Sequence, residues 1–321
     1  MKETIFSIPA PLSPTANLVK FSWEGVHPKE TFSIVAGLYG DQLNSIYLCS
    51  QLIRFLDAVA KGIEPGYRLK GRVQVIPAAN LLALQEGTHL WSFDDLDMDL
   101  TFPGNAQGEL AEQIADAVFK HTVDSQYGIV LHTAADHYED APHLVCLNPD
   151  SITKDLARSL GPKIACKPEE SPAFRLKLYY RWVDQGIKAV IVSAGKPRQL
   201  NRSLCKTLFS GLVNALLWAG VLTCNQKKPR KRTVEFFDSG CEQLVHAGAA
   251  GLFMPIVKPG ASLKKGEKVG EVVDMYTGTI LDSPVASADG YLVTLRDYPI
   301  VYQKEPLAVL LGKRKFRFWP F

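Results

Sequence analysis

The chain lacks the features that would set it apart from ordinary globular proteins. Its six cysteines (Cys49, Cys146, Cys166, Cys205, Cys224 and Cys241) lie far apart and form no CxxC pair. That excludes a disulfide framework and a zinc knot and reads as reduced, mostly buried thiols. No stretch of about 18 or more apolar residues occurs, so no membrane span is expected. The first twenty residues hold no apolar run long enough for a signal-peptide core, and three prolines interrupt them. Neither sign of charge dominates: 36 Lys and Arg against 33 Asp and Glu leave +3. This balance is too even to imply a nucleic-acid or membrane-surface partner. A cytoplasmic protein is the expectation.

What is present fits that class. The 321 residues are 46% hydrophobic and 21% charged, which excludes a disordered chain or a fibre and allows one large domain or about two ordinary ones. Apolar β-branched runs alternate with helix-period stretches. Phe32 to Gly37, Arg72 to Pro77, Gly128 to His132 and Lys188 to Val192 read as strands. Asp41 is placed to cap a helix carrying Leu43, Ile46, Leu52, Ile53, Leu56 and Val59, and further helices are expected near 108–120 and 201–220. The stretch 78–105 reads as irregular. The pattern predicts an α/β fold: a mostly parallel sheet covered by helices on both faces. Ligands of such sheets sit at the carboxyl ends of strands, so the turns after Gly37 and Leu131 are the first places to look.

Composition changes at Asn225 to Arg232, a basic run containing Pro229. It reads as an exposed linker, with a phosphate-binding patch as the functional alternative. From about Phe236 short strands and glycine turns follow, the pattern of a small all-β unit. The expected organisation is an α/β domain over 1–225, a basic linker over 226–235 and a barrel-like β-rich domain over 236–321. The last nine residues, Lys313 to Phe321, alternate cations and aromatics. They read as a docking tail or as packing against the chain's own domain.

Five segments in order carry a resemblance. They are Gly37-Leu38-Tyr39-Gly40-Asp41-Gln42, Asp97-Met98-Asp99-Leu100-Thr101-Phe102-Pro103-Gly104, Val130-Leu131-His132-Thr133, Ser193-Ala194-Gly195, and the glycine-turn tail from Gly251 through Ser283-Pro284 to Asp289-Gly290. Over roughly residues 25 to 312 the chain resembles the succinylglutamate desuccinylase/aspartoacylase family, which is zinc carboxypeptidase-like. The resemblance implies that fold, and a zinc held by a His and a Glu from the first segment and a His from the third. It also implies a substrate-binding Asn-Arg in the second segment and a catalytic Glu in the fourth. Here Tyr39 and Gln42 stand at the first two zinc-ligand positions, Asp99 and Leu100 replace Asn and Arg, and Ser193 stands at the base position. His132 remains, although Val130 has replaced the Asp before it.

A catalytic zinc needs about three protein ligands and an open position for water. A Gln42 amide is a poor donor, and a Tyr39 phenol would have to ionise from a pKa near ~10. A serine without an activating neighbour does not replace a glutamate base. These substitutions point to a catalytically silent partner or binding subunit without a cofactor, a homo- or hetero-oligomer, possibly assembled with an active relative. The alternative is a zinc-dependent amidohydrolase of N-acyl amino acids or small peptides with a remodelled site. His132, Asp136, His137, Glu139, Asp140 and His143 fall within twelve positions, so a relocated metal site and a solvated loop are both open there. A third reading is a small-molecule sensor using the inherited pocket of Tyr39, Asp41, Gln42, Asp99, Leu100, His132 and Ser193. Ser193 as a nucleophile would need a base and an oxyanion hole that the sequence does not identify. Trp91, Phe93 and Phe102 read as pocket wall and core.

Overall fold

The computed structural model describes residues 1–8, 16–91 and 93–312. The tail expected to dock, residues 313–321, lies outside them. Four strands run parallel side by side in the order Arg72–Ile76, Thr31–Val35, Tyr127–His132 and Lys188–Gly195. Their residues are buried almost without exception, which is why they read as continuous apolar runs rather than alternating ones.

Both faces are covered, as expected. Phe32, Ile34, Ile129, Leu131, Val190 and Val192 point to one side. There they meet Leu48, Leu52 and Leu56 of helix Leu43–Ala60, Leu156 of helix Ser151–Leu160, and Leu212 and Leu216 of helix Arg202–Trp218. The intervening Val35, Val130 and Ile191 point to the other side. They pack with Ile114 and Val118 of helix Leu110–Lys120 and with Leu178 and Trp182 of helix Leu178–Asp184. The two-residue period of the strands thus divides one run of apolar residues between two cores.

The sheet does not stop at the parallel strands. Ala16–Glu24 and Lys2–Ile8 extend one edge in antiparallel pairing. Beyond Lys188–Gly195 comes the antiparallel strand Tyr138–Val145, then Gly290–Arg296, Pro306–Gly312 and Glu242–His246. With its side branches the sheet reaches thirteen strands. The C-terminal β-rich region therefore joins the sheet of the α/β region. A second, four-stranded antiparallel sheet (Ile280–Asp282, Gly270–Val273, Gly251–Pro255, Ile300–Val301) closes over its core of Phe253, Val272, Leu292 and Leu310. Among the described residues no helix is long and apolar enough to cross a membrane.

Three details differ from the sequence reading. Gln42, not Asp41, occupies the cap position of helix Leu43–Ala60, because the Asp41 carboxylate is drawn to His89. The stretch after His132, read as a loop, is the strand Tyr138–Val145. The irregular stretch 78–105 contains the short helix Leu81–Glu86, capped by the Asn80 side chain.

Helix Ser151–Leu160 begins at Asp150, whose carboxylate accepts from Thr153 N at 2.8 Å and pairs with Lys188 Nζ at 2.8 Å. The Lys188 contact and the Thr153 amide bring its pKa down to about 2. Asp150→Ala is expected to cost about 1 kcal/mol in urea unfolding at neutral pH. The sign with pH follows from the lowered pKa: the carboxylate's contribution is complete above the ordinary aspartate range and disappears as pH falls through about 2.

Candidate functional site

The carboxyl ends of Thr31–Val35, Tyr127–His132 and Lys188–Gly195 lie together, and the segment Asp97–Thr101 folds over them. Glycines fix the first turn. Gly37 has φ +64°, and a Cβ there would stand 2.8 Å from Ala78 Cα; one on Gly40 would stand 2.1 Å from the Ala83 carbonyl carbon. This turn carries Tyr39, Asp41 and Gln42 into the interior. His132 and Ser193 are register partners on neighbouring strands, which brings the third and fourth segments side by side.

The centre of the site is an ion pair. Asp99, 1% exposed, accepts from Lys177 Nζ at 2.9 Å and from Leu178 N at 3.2 Å. Lys177 Nζ also donates to the Tyr39 hydroxyl at 3.3 Å, and that hydroxyl donates to Asp97 at 3.1 Å. Burial alone would draw a proton off Lys177, but Asp99 and, more weakly, Asp97 outweigh it and raise its pKa. Tyr39 is pushed well above the ordinary phenol range by burial and by the carboxylates Asp99 and Asp97, so it stays protonated. Its ring stacks on His89 at 4.3 Å and meets His132 edge-on at 5.6 Å.

His132 Nε2 is 4.0 Å from Asp99 Oδ2, too far for a hydrogen bond. Burial holds the imidazole down to about 4, with Lys177 and His89 adding to the effect and Asp99 opposing it. It is therefore neutral at physiological pH, and the contact with Asp99 is not an ion pair. His132 Nε2, Gln42 Oε1 and Thr133 Oγ1 are buried with no hydrogen-bond partner among the described residues. Each such unpaired buried atom is a standing cost that a bound ligand or water would relieve.

A second cluster forms the rim. Asp41, fully buried, meets His89 Nδ1 at 2.9 Å and Arg198 at 3.8 Å, and Arg198 reaches Asp136 at 2.7 Å. His137 stacks on Tyr298 at 4.5 Å. Asp136 and His137 thus have partners of their own away from His132. Among the described residues no three His, Cys, Asp or Glu side chains gather as a metal would require. Ser193 Oγ donates to Asp140 at 2.6 Å, and Asp140 accepts from Thr294 Oγ1 at 2.6 Å on the C-terminal strand. No imidazole reaches the Ser193 hydroxyl; His143, opposite it in register, is hydrogen-bonded through Nδ1 to Ala141 O. Leu100 is half-buried beside Asp99, and Trp91 and Phe102 are core, whereas Phe93 is 75% exposed and forms no wall.

Lys177, His89 and Arg198 were not found from the sequence. Lys177 comes from a turn nearly eighty residues beyond Asp99, and no motif surrounds it. Asp97 lies in a quoted segment, and its place beside a conspicuous Asp99 was the available signal.

Lys177→Met strands Asp99 without a counter-charge and is expected to cost about 3 kcal/mol, as removal of one partner of a buried pair does. Adding Asp99→Asn to that variant should restore much of the loss in urea unfolding, because the stranded charge is then gone. For His132 the unfolded chain takes up a proton near 6.5 and the folded chain only near about 4. Stability therefore falls as pH drops across that interval, and His132→Asn should flatten this part of the stability curve.

The sequence profile of the succinylglutamate desuccinylase/aspartoacylase catalytic domain matches residues 28–216. Solved structures agree in fold. The succinylglutamate desuccinylase/aspartoacylase from Rhodobacter sphaeroides superposes with a TM-score of 0.78 at 20% identity, covering 96% of this chain and 95% of that one. The product-bound ectoine utilization protein EutE (DoeB) from Ruegeria pomeroyi gives 0.76 at 18% identity, covering 92% and 89%. A succinylglutamate desuccinylase from Silicibacter sp. TM1040 gives 0.80 at 15% identity, covering 97% and 94%. No curated protein matches. The profile spans more than half of the chain and includes the first four of the five segments, and the end-to-end superpositions give the same architecture: the chain belongs to the succinylglutamate desuccinylase/aspartoacylase family.

Proposed function

We propose that this chain is a catalytically silent member of its family, a binding or partner subunit that holds a small ligand in the inherited pocket and carries no metal there. The observation that carries the reading is the Lys177 ammonium, 2.9 Å from Asp99 and 3.3 Å from the Tyr39 hydroxyl. Tyr39 and Gln42 stand where the family resemblance puts two zinc ligands. One is a phenol kept protonated and the other a neutral amide, and only the His132 imidazole remains as a good donor. A fixed cation beside these atoms repels a divalent ion. The residues present do not fit zinc.

The base position gives the same answer. Ser193 donates to Asp140, a carboxylate whose other oxygen is taken by Thr294, and has no imidazole to activate it. Binding is another matter. The unpaired Gln42 Oε1 accepts, Thr133 Oγ1 donates or accepts, and Lys177 has a third N–H. That set matches an amide flanked by a carboxylate, the chemistry of an N-acyl amino acid such as the one named in succinylglutamate desuccinylase. The rival reading is a metal-dependent hydrolase built on His132, Asp136 and His137. It would need Asp136 to leave Arg198 and His137 to leave Tyr298. Assembly with a second copy or with an active relative belongs to the same proposal.

The test combines metal analysis with turnover and thermal stability. Protein purified in the presence of zinc is expected to hold far less than one equivalent and to leave N-succinylglutamate intact. The same compound should raise the melting temperature in proportion to the logarithm of its concentration once above Kd. One equivalent of zinc removed only by a chelator, together with hydrolysis, would overturn the proposal. Loss of the metal in His132→Ala and Asp136→Ala would then identify the relocated ligands.

A further inference from the structure

The basic run between the two regions is part of a cleft. A cavity of about 1050 Å³ opens where helix Ser151–Leu160, helix Arg202–Trp218 and the C-terminal β-rich region meet, and residues 226–232 run along its wall. It shares no lining residue with the pocket around Asp99. Lys163, Lys227, Lys228, Arg230 and Arg232 line it, and no Asp or Glu does. Among the described residues Lys163, Lys228, Arg230 and Arg232 have no ion-pair partner; the acid nearest in the run's own contacts, Asp155, is held by Lys231 and Arg158. A chain with a net charge of only +3 has gathered five cations along this cleft, with Glu64 acting on Lys227 from beside it and no acid in the lining itself. Such a concentration of one sign raises the local concentration of anions.

The arrangement is built rather than loose. A Cβ on Gly211 would stand 1.8 Å from Leu160 O, so the two helices meet backbone to backbone at the cleft floor. One turn further on, Asn214 grips the basic run from both sides. Its Nδ2 donates to Arg230 O at 2.8 Å and to Ser159 O at 2.7 Å, and its Oδ1 accepts from Arg230 N at 2.8 Å. Arg232 N donates to Arg158 O at 2.8 Å. The backbone that carries Arg230 and Arg232 is thus fixed before any ligand arrives, which removes part of the ordering cost of binding. At one end Phe55 meets Phe209 at 5.7 Å and Tyr67 at 5.1 Å, both edge-on, and Lys227 Nζ donates to the Tyr67 hydroxyl at 3.0 Å.

We propose that this cleft is a second ligand site, one that takes a small polyphosphate-bearing molecule with an aromatic or apolar body, of which a nucleoside triphosphate is the simplest example. Two guanidinium forks and three ammonium groups match several phosphate oxygens, and Phe55, Tyr67 and Phe209 give a ring somewhere to rest. The volume is that of a small-molecule site rather than of a nucleic-acid track.

Calorimetric titration of the full chain with ATP, inorganic tripolyphosphate and citrate tests the proposal. ATP is expected to bind saturably at one site and to weaken between about 50 and about 200 mM NaCl, as counterion release requires. Tripolyphosphate should bind more weakly than ATP, and citrate more weakly still. The substitutions Lys163→Gln, Arg230→Gln and Arg232→Gln fall on exposed side chains and should leave the melting temperature unchanged. Together they are expected to lower ATP affinity by about tenfold or more. Absence of saturable ATP binding, or equal affinity in parent and triple variant, would overturn the site. Tripolyphosphate binding as tightly as ATP would overturn the aromatic part, and citrate binding as tightly would overturn the assignment to phosphate.

Discussion

A carboxylate taken out of water must meet a cation or give up its charge, and at the heart of this molecule Asp99 meets the ammonium of Lys177. Much of the pocket follows from that pair. Lys177 sits at the start of helix Leu178–Asp184, whose first amide also bonds to Asp99, so the pair ties this helix to the segment over the strand ends. The same ammonium orients the Tyr39 hydroxyl toward Asp97, and the Tyr39 ring in turn lies flat on His89, the partner of Asp41. The charged groups here are drawn into one connected network.

The sequence made the parallel strands visible because burial on both faces fills them mostly with apolar, β-branched residues. Phe32 to Val35 and Ile129 to Leu131 could be nothing else. The strand Tyr138–Val145 escaped because it lies between Lys188–Gly195 and Gly290–Arg296 and carries Asp140 for Ser193 and Thr294 on those strands. Polar groups placed for a cross-strand contact resemble a solvated loop when read alone. The first-turn residues of the site were legible through their glycines, since Gly37 and Gly40 answer a backbone demand that local sequence shows. Lys177 was not, because a single long side chain reaching across the fold leaves no local trace.

Scaffold and polar groups answer to different constraints in this chain. The glycines that bend the first turn remain, as do the strands that bring His132 beside Ser193. These features are fixed by sterics, where even a methyl group collides with backbone. The polar groups obey a weaker constraint: they need only satisfy one another. The Tyr39 phenol and the Lys177 ammonium do so here with Asp97 and Asp99.

The pairing of Gly290–Arg296 with Tyr138–Val145 has a consequence for how the chain could have been assembled or taken apart. Thr294 on the late strand bonds the same Asp140 that holds Ser193, so the end of the polypeptide reaches into the heart of the early part. The C-terminal region is therefore not a cap resting on a finished body. Prising it away would unzip a strand from the main sheet and pull Thr294 off Asp140, the carboxylate that holds Ser193.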